Sequence, residues 1–416
     1  MSEAVARILR DAFRRYYQSH AVPAPPSVEK REFGVGDYGR KIVRRHISFV
    51  SEREFRRYLR EHAPLYISYS IAYFKKPDAQ PMEAKGIEGA DMIFEFDADE
   101  LGLFSPNDLW HCPNCGSRGV VGELRGFRAG VCPNCGDPAK IIMFPDPGRE
   151  ERLKEEVDTL VKDFLMGDFG ISRTEISLNF SGNRGYHIHV RSPSLRELDK
   201  EARQEIVDYV TGRGIDVRYF FDVSRVPPRG PKPTDGGWKG RVARKLVEIL
   251  SGAKDASELV RFGVSPALAR RIMRERGHVV ELIKKGVWPF IDTKADDAFA
   301  SVSALVRSIS PYMGKEIDTN TSVDIHRLIR VPDTIHGGTG LLAKRIRDLW
   351  SFDPYRDAVA LPERPYLNLH VEYIPEFEFA GEVWGPLEDK NVELPLHVSV
   401  YLLSKGVASW RLTTQG

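Results

Sequence analysis

Asp91-Met-Ile-Phe-Glu-Phe-Asp-Ala-Asp-Glu100 is the stretch on which the reading of this chain turns. Phe94, Phe96 and Ala98 alternate with Glu95, Asp97 and Asp99, the period-2 pattern of a half-buried strand. Alternate residues of a strand share a face, so the apolar set points into a core while Asp97 and Asp99 leave it together. Two carboxylates side by side repel one another unless something cationic sits between them. A divalent ion meets that need, and Mg²⁺ is typically held by one or two carboxylates plus substrate phosphates. The competing reading is a solvated acidic strand end leading into a turn.

The chain has 416 residues, enough for two or three domains. Its 42% hydrophobic and 29% charged residues describe a globular protein rather than a disordered or fibrous one. With 61 basic residues against 59 acidic ones the net charge is +2, so no global polycation is available to coat nucleic acid. Any such surface must be local. Arg40–Lys41 with Arg44–Arg45, Lys75–Lys76 and Arg270–Arg271 are the clusters that can supply one, and each reads first as a solvated face. No apolar run approaches the roughly 20 residues that span a bilayer. The opening MSEAVARILRDAFRRYYQSH carries charge throughout an amphipathic helical pattern, unlike a signal peptide. An intracellular, cytoplasmic protein is expected. There, thiols stay reduced, so four cysteines in two close pairs point to metal rather than disulfides.

Along the chain, residues 1–20 read as a helix with Val5, Ile8, Leu9 and Phe13 on one face. RRHISFV and LYISYSIAYF read as strands around a helix over 52–62, and the Asp97 strand follows. A helix is expected over 150–165, then paired strands in EISLNF and YHIHVRS. Ser194-Leu-Arg-Glu197 predicts a capping box for a helix reaching about Val210. The breaker-rich VPPRGPKPTDGG at 226–237 introduces a helical region of about 240–290 that holds no cluster of chemical residues. Strand character returns at HRLIRVP and in the tail. Helices and strands are grouped rather than strictly alternating, which makes the fold class α+β.

Three further constellations carry chemistry. Cys112-Pro-Asn-Cys115 and Cys132-Pro-Asn-Cys135 match the C-x₂-C-x₁₅₋₂₀-C-x₂-C zinc spacing, each knuckle followed by a glycine (Gly116, Gly136). Two thiolates from each tight turn fill a tetrahedral Zn²⁺ and leave no open position, so one structural ion is expected. His111 adjoins the first knuckle as a bystander. In Ser181-Gly-Asn-Arg-Gly-Tyr-His187-Ile-His189, Gly182 and Gly185 permit a tight turn with close backbone approach to a ligand. Ser181, Arg184 and His187 can then converge on phosphate oxygens, with arginine as the bidentate partner; the alternative is a β-turn with two surface histidines. Finally, the segment Ile317–Gly338 offers Asp318, a run of basic groups and a glycine-flanked His336. Asp318 or Asp324 can complete a metal site begun by Asp97 and Asp99, and Arg330 with His336 can neutralise a triphosphate.

Taken in order, these pieces resemble the catalytic small subunit of archaeal and eukaryotic DNA primases, over roughly residues 25–350. The resemblance rests on the Asp97/Asp99 strand, the Ser181–His187 motif, the RLIRVPDTIHGG segment from Arg327 to Gly338, and zinc knuckles between the first two. It implies a primase-type catalytic core of mixed sheets flanked by helices, built from residues 1–107, 141–238 and 291–360. It further implies an inserted zinc-binding module at 108–140, a helical insertion at 239–290 and a C-terminal extension at 361–416. By the same resemblance Asp97, Asp99 and Asp318, preferred to Asp324, hold two Mg²⁺ or Mn²⁺ ions. Ser181, Arg184, His187, Arg330 and His336 then bind the nucleotide. The implied activity is template-directed primer synthesis on single-stranded DNA from nucleoside triphosphates, with a primase large subunit as partner and an archaeal, nucleoid-associated setting. Asn183 stands where eukaryotic members often have a second basic residue, and Glu100 where many members have aspartate.

Two competing readings leave features unexplained. A repair polymerase, like the polymerase domain of bacterial end-joining ligases, generally lacks the knuckles. A non-enzymatic zinc-ribbon nucleic-acid-binding protein has no use for the ordered carboxylates or the Ser181–His187 motif.

Overall fold

The computed structural model describes residues 3–37, 40–124, 130–261, 264–289, 300, 302–303 and 320–410. Asp318 lies outside them. The architecture is mixed α+β, and the chain forms two compact units. One comprises Met1–Glu155, Thr174–Lys200 and Asn320–Gly416; the other comprises Glu156–Arg173 and Glu201–Thr319.

Two four-stranded antiparallel sheets frame the first unit. One runs in the order Leu328–Arg330, Tyr66–Ser70, Phe33–Asp37, Arg40–Ile47. Its buried face carries Phe33, which packs on Phe49 and Phe55 at ring distances of 4.8 and 5.6 Å. Phe55 comes from the helix Glu52–His62, which starts where the Ser51 hydroxyl accepts the Glu54 N–H and stops at Ala63 in the left-handed region. That is the expected 52–62 helix, with an N-cap and an αL stop as its physical limits.

The second sheet runs Arg345–Ile346, Ile176–Phe180, Gly185–Val190, Met92–Asp97. Its register makes the division of labour explicit. Tyr186 faces Phe96 and Phe180, and Ile188 faces Phe94 and Leu178, forming one wholly apolar surface. The opposite surface aligns Gly185 with Asp97, and His187 with Glu95 and Asn179. The strand of the opening motif ends at Asp97, however, one pleat earlier than the alternation predicts. Ala98 still donates to the Arg184 carbonyl at 3.1 Å, but the chain then folds back, with Leu101 N–H bonded to Asp97 O and Leu103 N–H to Ala98 O. Burial of Leu101 and Leu103 drives that turn, and Asp99 sits within it.

A buried polar knot joins the strand ends beneath these sheets. The fully buried Arg31 donates to Asp91 Oδ2 at 2.7 Å and to the carbonyls of Ser70 and Ile71 at 3.0 and 2.6 Å. Tyr73 donates to the other Asp91 oxygen at 2.7 Å. The C-terminal part adds a sheet of Leu387–Pro395, Tyr366–Ile374 and Ala408–Trp410, packed under the apolar helix Leu396–Lys405.

The second unit is helical, with Gly237–Gly252, Ala256–Arg261, Pro266–Arg274 and Arg276–Lys284 among its elements. Arg241 lies 3.8 Å over the Phe164 ring and reaches Asp168 at 2.5 Å. One local expectation fails between the units' sequences. Ser194 lies inside a short helix, Pro193–Arg196, and a separate helix spans Lys200–Thr211. Proline favours the first helical position, so Pro193 starts the helix ahead of Ser194 and the capping box does not form. Among the described residues no helix is long and apolar enough to cross a membrane.

Candidate active site and metal centre

The polar face of the second sheet gathers the residues singled out in the sequence. Gly185 is opposite Asp97, and a Cβ there would come within 2.8 Å of the carboxylate, so only glycine lets the two strands close at this point. The Ser181–Arg184 turn is built as its glycines predict. Ser181 N–H bonds Gly185 O at 2.8 Å, the Ser181 hydroxyl accepts from Asn183 N–H at 3.2 Å, and Gly182 takes φ +81°. A Cβ on Gly182 would stand 2.8 Å from His336 Cβ, which places this turn directly against His336. The Thr339 hydroxyl locks the approach by donating to Gly182 O.

Asp97 and Asp99 meet at the Arg184 guanidinium. Arg184 Nη2 is 2.5 Å from Asp99 Oδ2, and its Nε is 4.0 Å from Asp97 Oδ1. The electrostatics record the strain of pairing acids: loss of hydration, then the Asp99 charge, push the Asp97 carboxyl up to about 6, with Arg184 pulling the other way. The second Asp99 oxygen is buried and has no hydrogen-bond partner among the described residues. Arg184 therefore faces the two carboxylates here. The reason is Coulombic: in this arrangement it is the nearest cation to two like charges.

His187 sits in the next register position, 3.9 Å from Glu95, and burial lowers its pKa while Glu95 raises it. Arg330 is buried, its guanidinium 4.9 Å over the Tyr66 ring; burial lowers its pKa to about 10, and its Nη1 has no partner among the described residues. His336 packs edge-on to the same Tyr66 at 5.4 Å, and burial, then the Arg330 charge, hold it well below the usual histidine range. Its Nδ1 faces the Gly338 N–H at 3.1 Å. The structure thus brings together Asp97, Asp99, Ser181, Arg184, His187, Arg330 and His336. Asp318 lies outside the described residues; the helix Asn320–Val323 packs against the strand Met92–Asp97. The alternative, Asp324, is exposed and accepts the His326 N–H at 2.9 Å.

Some neighbours were not legible beforehand. Glu95 pairs with Arg327 at 2.5 Å, and Tyr66 joins Arg330 to His336. Sheet register can be guessed from alternation, but these contacts depend on which strands become neighbours. His189 is not the surface residue its motif allows: it is fully buried, 3.2 Å from the Tyr69 hydroxyl.

The four cysteines converge as their spacing predicts. Their Sγ atoms all lie within 4.8 Å of one another, with Cys112–Cys135 at 3.6 Å and Cys115–Cys132 at 3.7 Å. A tetrahedron with Zn–S bonds of about 2.3 Å has an edge near ~3.8 Å, so the cluster can hold a zinc ion. Both knuckles share one turn: Gly116 and Gly136, at φ +71° and +78°, donate to Cys112 O and Cys132 O at 3.0 Å. Trp110, Val121 and Ile141 pack the cluster from inside.

A mixed α+β protein with paired acids, facing cations and a four-thiol centre narrows the class, and comparison with known proteins narrows it further. A family model described as DNA primase small subunit matches residues 151–348. The DNA primase small subunit PriS of Methanothrix thermoacetophila is 35% identical, the match covering 98% of this chain and 99% of the relative. The corresponding proteins of Thermoplasma acidophilum and Cenarchaeum symbiosum are each 28% identical over 96% and 98% of this chain, and 98% and 100% of theirs. The chain belongs to the DNA primase small-subunit family.

Proposed function

We propose that this protein is the catalytic subunit of a primase, making short oligonucleotide primers on single-stranded DNA from nucleoside triphosphates to begin replication. The observation that carries the reading is the pair Asp97 and Asp99, pressed together at a strand end against Arg184, with His187 on the same sheet face. The first unit then houses a primase-type core, with the knuckles as a structural zinc module inside it.

The donor set suits divalent ions. Asp97 is reluctant to ionise beside Asp99, and Asp99 keeps a buried oxygen without a partner; both conditions are relieved by a cation of higher charge than Arg184. Asp97 and Asp99, with Asp318 as the third carboxylate, would hold two Mg²⁺ or Mn²⁺ ions. Such a pair supplies a lowered pKa for an attacking hydroxyl and charge neutralisation at a leaving oxygen.

The remaining work falls to side chains. Arg184, released from the carboxylates, turns to the triphosphate and binds it in a bidentate manner. Ser181 and the backbone of the Gly182 turn approach the phosphates closely. His187, Arg330 and His336 are buried groups whose positive forms are disfavoured, and a polyanion beside them restores their charge. Held in line by these donors, the reacting phosphorus meets preorganised positive charge where negative charge develops. Substrates are nucleoside triphosphates and a single-stranded template, and the partner is a primase large subunit in a heterodimer acting in the cytoplasm.

The test is nucleotide incorporation on an unprimed single-stranded template. New short oligonucleotides support the reading. Extension of an added primer without any unprimed product would identify a repair polymerase, and no incorporation at all a binding protein.

A further inference from the structure

The strand Arg40–Ile47, RKIVRRHI, holds five basic residues if His46 is counted and no acidic one. It forms the outer edge of its sheet. Val43 keeps 54% of its exposure and Ile42 39%. Lysine and arginine commonly guard exposed edges against unwanted pairing, but that use does not call for bare aliphatic side chains between the charges.

The charges are also unequally committed. Arg45 is bound to the buried Glu32 at 3.0 Å, and Arg44 donates to the Tyr58 hydroxyl at 2.8 Å. Arg40 and Lys41 have no ion-pair partner among the described residues. Arg44 also lies 6.0 Å over the Tyr58 ring, which packs 4.3 Å from His62. A cation, two ring faces and exposed aliphatics beside free positive charge are what single-stranded nucleic acid binds.

The strand is shaped toward the candidate active site. Val35 pairs with Arg44 and Asp37 with Arg40, so Lys41, Ile42 and Val43 bulge opposite the single residue Gly36. A Cβ on Gly36 would run into the backbone of Arg40 and Lys41. Bulges beside active sites commonly re-aim a side chain. Lys41 is near enough for its charge to act on Asp97, His187 and His336.

We propose that the edge strand Arg40–Ile47 holds the single-stranded template, with Arg40, Lys41 and Arg44 on successive phosphates as the strand enters the site. Arg40 and Arg44 pair with residues two apart on the neighbouring strand, so the bulge brings them to roughly 7 Å of each other along it, and the flanking rings and exposed aliphatics suit a nucleic-acid strand better than a bare triphosphate. The inference rests on the catalytic reading above, but its deciding readout, oligonucleotide binding, needs no catalysis.

The experiment compares the full chain with its Arg40→Gln, Lys41→Gln, Arg44→Gln variant, measuring fluorescence anisotropy of a labelled single-stranded oligodeoxynucleotide across a salt series. Each lost phosphate contact lowers the slope of log K against log salt by about 0.7, so the triple variant should lose about 2. Unchanged affinity and slope overturn the proposal. So does a raised KM for nucleotide with unaltered oligonucleotide binding, which would assign the strand to the triphosphate. If the triple variant melts early, Lys41→Gln alone should lower the slope by about 0.7, and a slope equal to the parent's overturns the proposal. A chain that binds DNA through this strand yet makes no primer would sink the catalytic reading and leave this one standing.

Discussion

Replacing Asp97 by asparagine should stabilise the protein while ending its activity. The carboxyl is pushed from 3.8 up to about 6 by lost hydration and by Asp99. Roughly two units correspond to about 3 kcal/mol at most. The side chain keeps 40% of its exposure, so screening reduces the net penalty to about 1 kcal/mol. Because the folded-state pKa lies above the unfolded value, the native state holds this proton the more tightly and gains from protonation. The parent therefore carries the penalty in full above about pH 6 and sheds it as the pH falls toward 4; asparagine, neutral throughout, never carries it. Urea unfolding in buffer free of Mg²⁺ and Mn²⁺ should find Asp97→Asn more stable by about 1 kcal/mol at about pH 7.5, with no gain near pH 4. A variant less stable than the parent, or equally stabilised at both pH values, would refute the reasoning.

Other perturbations test separate parts of the structure. Arg31→Met strips Asp91 of its closest cation and leaves the Ser70 and Ile71 carbonyls short of a donor, so urea unfolding should report a loss of about 3–5 kcal/mol. A loss below about 1 kcal/mol would mean the knot holds nothing. Cys112→Ser should lower both the melting temperature and the bound zinc measured by atomic absorption, and survival of both contradicts a structural ion. Gly182→Val meets a positive φ and the His336 side chain at once. It should lower kcat/KM for nucleotide by about tenfold or more, with the far-UV spectrum unchanged. Parental kinetics would show that the turn does not set the position of His336.

Much of this was legible because it is local. The knuckles declare themselves by spacing and by glycines that take positive φ, and the Glu52–His62 helix by a serine cap. The Ser181–Gly185 turn was readable for the same reason, since its hydrogen bonds close within five residues. Only the strand position of Asp99 departs from the alternation, which says nothing about where a strand stops; burial of Leu101 and Leu103 decides that. The capping box failed because Pro193 competes for the same turn. His189 reads as a surface histidine from its motif and is buried because Tyr69 of another sheet lies beside it, a contact across 120 positions of sequence. Glu95 and Arg327, 232 positions apart, were equally out of reach. Charge clusters are ambiguous until strand order is known, and Lys41 acquired its setting only when its strand proved to be an edge.

The central claim is that Asp97 and Asp99 support primer synthesis. Its most direct test is dinucleotide formation on an unprimed single-stranded template in Mg²⁺ or Mn²⁺, comparing the parent with the Asp97→Ala, Asp99→Ala double variant at matched zinc content and melting behaviour. The account predicts product from the parent and none from a folded double variant. Undiminished dinucleotide synthesis by that variant would contradict it.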